Sequence, residues 1–138
     1  MEILYTAKVT ASGGRNGHVK SDDGIIDMPV RMPKGLGGEG GEFTNPEQLF
    51  GAAYSACYDG ALNLVARMGR HKIESKTTAN VSIGKEEDGG LSISVVLDIE
   101  VNGVDKKTAE DLINKAHQVC PYSKATRNNV KVKLNLLG

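Results

Sequence analysis

Cys57 and Cys120 are the only two cysteines in the chain, and their settings differ. Cys57 lies midway along an almost wholly apolar helical run, FGAAYSACYDGALNLVARM. Cys120 closes a second helical pattern directly before Pro121, in VCPYSKATRN. A thiol in an apolar helix and a second thiol at a helix break suit a redox pair in which one attacks and the other resolves. The attacking form is a thiolate, and burial in an apolar helix raises a thiol pKa. A reactive Cys57 therefore needs a cation. Arg15, Arg31, Arg67, Arg70 and Arg127 are the candidates. Arg67 is ten positions on, about 15 Å along a helix and out of reach; Arg70 is farther. Arg15 stands in a glycine-flanked turn (GGRNG), where the backbone can place it beyond the reach of any helix side chain. The plainer readings stay open: Cys57 as a small apolar core residue, Arg15 as a solvated hairpin arginine.

A resolving Cys120 must swing to form a disulfide, with the two Cα atoms about 4.4–6.8 Å apart. Helix breaks expose side chains and permit such movement, and packed helices bring side chains that close. The alternative is a core cysteine with Pro121 as the helix stop. His117, three positions earlier on the same face, would make Cys120 a hydrolase nucleophile if the two paired. Glu47 falls in the first turn of the long helix, where it complements the helix dipole or forms a capping box with Thr44. It could instead hold an arginine in place. Two distant cysteines with no CxxC and no clustered histidines make no metal site.

The elements that must position these residues read as α+β. Ile3, Tyr5, Ala7 and Val9 alternate like a half-buried strand. A glycine turn follows, then short strands near 18–20 and 24–27, then the glycine-rich LGGEGGEFTNP. Asn45 is a good N-cap with Pro46 at the first helical position, and Gly69 a stop after Met68. The helix between is apolar on nearly every face, which predicts burial on all sides and hints at a second protomer. Thr77–Ile83 and Leu91–Val101 alternate around an EEDGG hairpin turn. Asp105 caps a second helix with the stripe Ala109, Leu112, Ile113, Ala116 and Cys120; Val130–Leu136 alternate as a last strand.

Composition narrows the classes. The chain has 138 residues, 17 Lys+Arg and 17 Asp+Glu, so its net charge is zero. That favours neither nucleic acid nor an acidic or basic partner. It is long enough for one domain, residues 1–138, with its own core. MEILYTAKVT lacks the features of a signal peptide, and no apolar run approaches a membrane span. A cytoplasmic protein is the expectation, and there two cysteines are more often reduced or catalytic than a staple.

Taken together, LYTA (4–7), GGRNG (13–17), TNPEQLF (44–50), YSAC (54–57), AEDL (109–112) and AHQVCPYSKATRNN (116–129) resemble the organic hydroperoxide resistance (Ohr) family of the Ohr/OsmC superfamily. The motifs run the whole chain, and CPYSKATRNN is similar to the Ohr branch rather than the OsmC branch. Tyr58 departs from the more familiar apolar residue there, which touches pocket polarity rather than mechanism. The resemblance implies antiparallel sheets packed around a long buried central helix in an intertwined homodimer. It implies a thiol-dependent peroxidase acting on alkyl and fatty-acid hydroperoxides in oxidative-stress defence, with no cofactor. Cys57 would be the peroxidatic and Cys120 the resolving cysteine, with Arg15 and Glu47 activating the thiolate. A lipoylated protein or dihydrolipoamide would be the reductant. Phe50 and Tyr54, apolar neighbours of Cys57, would favour an alkyl-chain substrate. A redox-sensing or small-molecule-binding protein without turnover is the rival from another class, and a Cys–His acyl hydrolase a third.

Overall fold

The computed structural model describes residues 1–138, and the chain divides into two compact units, Met1–Leu49 and Phe50–Gly138.

The first unit is built on a three-stranded antiparallel sheet of β1 (Val9–Ser12), β2 (His18–Ser21) and β3 (Asp27–Pro29). The β1–β2 connection is a single 3₁₀ turn, Gly14–Asn16, entered through Gly13 at φ 75°. Glycine adopts that left-handed conformation without a Cβ penalty. Gly17 closes the turn, where a Cβ would run into the Ser12 carbonyl oxygen. The Arg31 guanidinium donates to the Gly17 and Val30 carbonyls at 2.9 and 2.7 Å, and the Met32 N–H donates to Asn16 Oδ1 at 3.1 Å. These bonds fix the turn that carries Arg15.

The strand expected from Ile3 begins only at Val9. Ile3, Leu4 and Tyr5 are 71, 89 and 82% exposed. The alternation of Ile3, Tyr5, Ala7 and Val9 is real, but residues 1–8 take no place in either sheet, and a strand needs a neighbouring backbone for its N–H and C=O groups.

The second unit carries the core. Helix α1 (Pro46–Met68) begins in the first unit and runs through the boundary into the second. Asn45 caps it as expected, its Oδ1 accepting from the Gln48 N–H at 2.8 Å. Strands β4 (Glu74–Lys85) and β5 (Leu91–Asn102) form a long antiparallel hairpin. Its tight turn is closed by the Glu86 N–H on the Gly90 carbonyl. Val95, Leu97 and Ile99 of β5 alternate into the core. Helix α2 (Lys106–Val119) buries Ala109, Leu112, Ile113 and Ala116, and Asp105 caps it through the Thr108 N–H. A short helix α3 (Pro121–Thr126) and strand β6 (Lys131–Leu137) complete the unit.

One feature differs from the sequence reading. Strand β6 pairs parallel to β5, Leu97 opposite Leu134, so this sheet is not antiparallel throughout. Parallel neighbours need a crossover connection, and α2 with α3 supplies it. Helix α1 is not covered on every face within one chain. Gly51, Tyr54, Tyr58, Ala61, Leu62, Val65 and Ala66 are buried, whereas Leu64 and Met68 are 44 and 75% exposed. One face of the helix is all that this chain's own core can cover. No helix is long and apolar enough to cross a membrane.

Candidate functional site

Arg15 and Glu47 form a forked ion pair inside the first unit. Arg15 Nη1 donates to Glu47 Oε2 at 2.9 Å and Nη2 to Oε1 at 2.8 Å. The 3₁₀ turn presents the arginine and the first turn of α1 presents the carboxylate. Asn45 does the capping, so both Glu47 oxygens are free for the guanidinium. Charge-assisted bidentate contacts of this kind fix orientation as well as strength. The guanidinium bonds hold the Glu47 carboxyl below the usual range, against the opposing effect of burial, and the same contact raises Arg15.

The two thiols meet in the second unit. Cys120 Sγ lies 3.6 Å from Cys57 Sγ, and both are free. Cys57 lies on α1. Cys120 sits between α2 and α3, as C-cap of the first and N-cap of the second. Its backbone N–H donates to the Ala116 carbonyl, and its carbonyl accepts from the Lys124 N–H. Pro121 ends α2 and opens α3 as its first residue, a position that needs no N–H donor. The break therefore does not expose Cys120, which is fully buried (0%), while Cys57 is the half-exposed partner. The sequence suggests the reverse order of burial. Cys120 joins the core cluster that contains Tyr54, Tyr58 and Ala116.

Burial is the largest influence on Cys57 and pushes its pKa up. The Tyr122 backbone N–H, at the start of α3, opposes that rise by supporting the thiolate, and the neighbouring Cys120 thiol adds to it.

Tyr54, one turn before Cys57 on α1, is fully buried. Its ring meets Phe50 edge-on at 6.0 Å and Tyr122 at 6.1 Å between centroids. Its hydroxyl lies 2.9 Å from Ser123 Oγ and 3.2 Å from Thr126 Oγ1. Phe50 is half-buried against the same core. His117 does not pair with a thiol: its Nδ1 lies 2.8 Å from Ser123 Oγ. Burial first, and the Arg127 charge second, lower its pKa. Tyr58 donates its hydroxyl to the Ile113 carbonyl at 2.6 Å, and burial raises its pKa. Ser123 and Thr126 are absent from the sequence reading. The available signal was Tyr54 itself, since a buried tyrosine hydroxyl needs a polar partner.

Comparison with known proteins fits these observations. Residues 38–135 match the family model described as OsmC-like protein. The organic hydroperoxide resistance protein OhrB of Bacillus subtilis (strain 168) is 52% identical over 96% of this chain and 98% of its own. A solved organic hydroperoxide resistance protein from Elizabethkingia anophelis, with thiocyanate bound, superposes with a TM-score of 0.93 at 55% identity, over 99% of this chain and 98% of that one. One from Legionella pneumophila superposes with a TM-score of 0.94 at 43% identity, over 99% of this chain and 100% of that one. With a fold of two sheets and three helices that superposes on these solved structures, and this degree of identity along nearly its whole length, the chain belongs to the organic hydroperoxide resistance proteins of the OsmC-like family.

Proposed function

We propose that this chain is a thiol-dependent peroxidase that reduces organic hydroperoxides to alcohols. The observation that carries the reading is the 3.6 Å approach of the two sulfurs, one half-exposed and one buried. The Cys57 thiolate attacks the terminal peroxide oxygen and the O–O bond breaks. A sulfenic acid forms on Cys57, and the departing alkoxide takes up a proton and leaves as the alcohol. The Cys120 thiol then displaces the hydroxyl as water and the Cys57–Cys120 disulfide closes. A dithiol reopens it by exchange. Dihydrolipoamide or a lipoylated protein is the reductant.

Burial works against the Cys57 thiolate, so a cation has to act on it. Arg15 is that cation, oriented by Glu47. Its guanidinium lowers the thiol pKa and stabilises charge developing on the peroxide oxygens. Phe50, with Tyr54 behind it, supplies an apolar wall for the alkyl group. The two units act as one catalytic domain, residues 1–138, and two copies of the chain form a homodimer in the cytoplasm. Which copy supplies Arg15 and Glu47 is decided by the oxidation rate of a monomeric variant.

The test is a steady-state assay with cumene hydroperoxide, comparing dihydrolipoamide with thioredoxin. Sustained turnover with dihydrolipoamide is expected. Consumption of a single equivalent with no turnover under any dithiol would instead favour a redox sensor, and no consumption at all would end the peroxidase reading.

A further inference from the structure

The buried hydroxyl cluster beside the thiols has a direction. Four contacts link its members. Thr126 Oγ1 reaches the Ser123 carbonyl at 3.1 Å, Tyr54 Oη reaches Thr126 Oγ1 at 3.2 Å and Ser123 Oγ at 2.9 Å, and His117 Nδ1 reaches Ser123 Oγ at 2.8 Å. A carbonyl cannot donate, so the Thr126 hydroxyl hydrogen goes to it. The Tyr54–Thr126 contact then needs the tyrosine's hydrogen. With that hydrogen used, the Ser123–Tyr54 contact needs the serine's. The His117–Ser123 contact is left to the imidazole, which must carry its proton on Nδ1. Only this arrangement gives each contact one hydrogen.

The chain of bonds spans three helices around Cys120. His117 is three residues before it on α2, Ser123 and Thr126 are three and six after it on α3, and Tyr54 is on α1 three residues before Cys57. Arg127 Nη2 donates to the His117 carbonyl at 2.6 Å, adding a second tie between the ends of α2 and α3. Tyr54 and Ser123 are fully buried, and no buried side-chain polar atom is left without a partner. Such a network is rigid because every member is satisfied.

We propose that the relay His117–Ser123–Tyr54–Thr126 is a positioning device for the resolving step, tying the α2–α3 break to α1 so that Cys120 faces Cys57. These residues act by positioning and not on the reacting atoms. They set the geometry in which the Cys120 sulfur attacks the sulfur of Cys57, where a displacement of about 1 Å can cost up to a hundredfold in rate. The proposal rests on the assignment of Cys57 as attacker and Cys120 as resolver.

Its test needs no hydroperoxide, so it stands apart from the peroxidase assay. Dithionitrobenzoate, a coloured aryl disulfide, is mixed with reduced protein. The Cys57 thiolate attacks one sulfur, forms the mixed disulfide and expels one aryl thiolate. The Cys120 thiolate then attacks the Cys57 sulfur, the mixed disulfide breaks, and a second aryl thiolate leaves. In Ser123→Ala and His117→Leu the first release stays within about twofold of the native protein, while the second slows about tenfold or more. His117→Asn, which keeps an N–H donor where Nδ1 stands, recovers most of the second rate. Leu97→Ala, a truncation in the β5 core, is the control for general loosening. Nitrogen NMR of the unmodified protein reads the His117 tautomer directly and is expected to place its hydrogen on Nδ1. Any of four results overturns the proposal: no second release from the native protein, both releases slowed alike in the relay variants, as large a loss of the second release in Leu97→Ala, or a hydrogen on Nε2 alone. If cumene hydroperoxide is not consumed but the second release behaves as described, the peroxidase reading fails and the relay stands.

Discussion

At Cys57 two influences oppose each other. Burial raises the thiol pKa, and the Tyr122 backbone N–H pulls it back only in part. On the peroxidase reading the balance is tipped by Arg15. Replacing it by Ala should slow Cys57 oxidation about a hundredfold, the usual loss for one transition-state donor. The effect on stability should be small, under about 1 kcal/mol, because the arginine is partly solvated and such pairs are weak. Arg15→Lys should recover only part of the rate, since an ammonium cannot fork onto both Glu47 oxygens. The second-order rate of Cys57 oxidation against pH, with melting curves alongside, checks this; an unchanged rate and thiol pKa would leave Arg15 a mere turn residue. The thiols themselves should separate cleanly. Cys57→Ser should lose peroxidase activity, whereas Cys120→Ser should still consume one equivalent of cumene hydroperoxide, read by intact mass.

The ion pair also predicts a pH dependence. Arginine bonding holds Glu47 below its ordinary value of 4.5. A carboxyl depressed in the folded state stabilises the fold above that ordinary value, and the contribution disappears as pH falls through the lower, folded value. The stability difference between the native protein and Arg15→Ala should therefore be full at neutral pH and shrink below 4.5. Urea unfolding at a series of pH values measures it. A difference that grows on acidification would mean the Glu47 carboxylate gains nothing from Arg15.

Elements specified locally were legible in the sequence. Asn45–Pro46 and Asp105 mark the starts of α1 and α2, and EEDGG the β4–β5 turn, because caps and tight turns use near-neighbour hydrogen bonds. The parallel pairing of β6, the inward turn of Cys120 and the hydroxyl relay were not legible. Each depends on where α3 packs, and its six residues PYSKAT show no helical period long enough to read. The resemblance named Arg15 and Glu47 as a pair, and both bonds are present. Their formation depends on the shape of the Gly13–Gly17 turn. A Cβ at Gly17 would meet three backbone atoms, the Ser12 oxygen, and the Ser12 carbonyl carbon and Gly13 Cα at 2.7 Å, so none can yield as a side chain would. Gly17→Ala should cost about 1–3 kcal/mol, as other overpacking changes do. It should also misplace Arg15 and slow Cys57 oxidation nearly as much as Arg15→Ala does. Full oxidation rates in Gly17→Ala would show that the turn is softer than its contacts imply.

For the whole molecule the uncovered apolar surface is the main fact. Ile3, Leu4 and Tyr5 stand exposed outside both sheets, and Leu64 and Met68 of α1 face outward. Apolar area left in water forgoes roughly 25 cal/mol per Å², so several large side chains together favour association. A second copy of the chain is the partner we expect, because the faces left open belong to a strand pattern and a helix that the sequence builds for burial. Light scattering at micromolar concentration should give twice the chain mass. Leu64→Glu should shift the population toward monomer, since a carboxylate on a buried apolar face meets a large desolvation cost. A monomeric native protein would refute the homodimer. The activity of the Leu64→Glu monomer decides the remaining question about the site. If Cys57 oxidation slows as far as in Arg15→Ala, the guanidinium that serves each thiol comes from the other copy. If the monomer keeps the full oxidation rate, one chain supplies Arg15, Glu47 and both thiols to its own site.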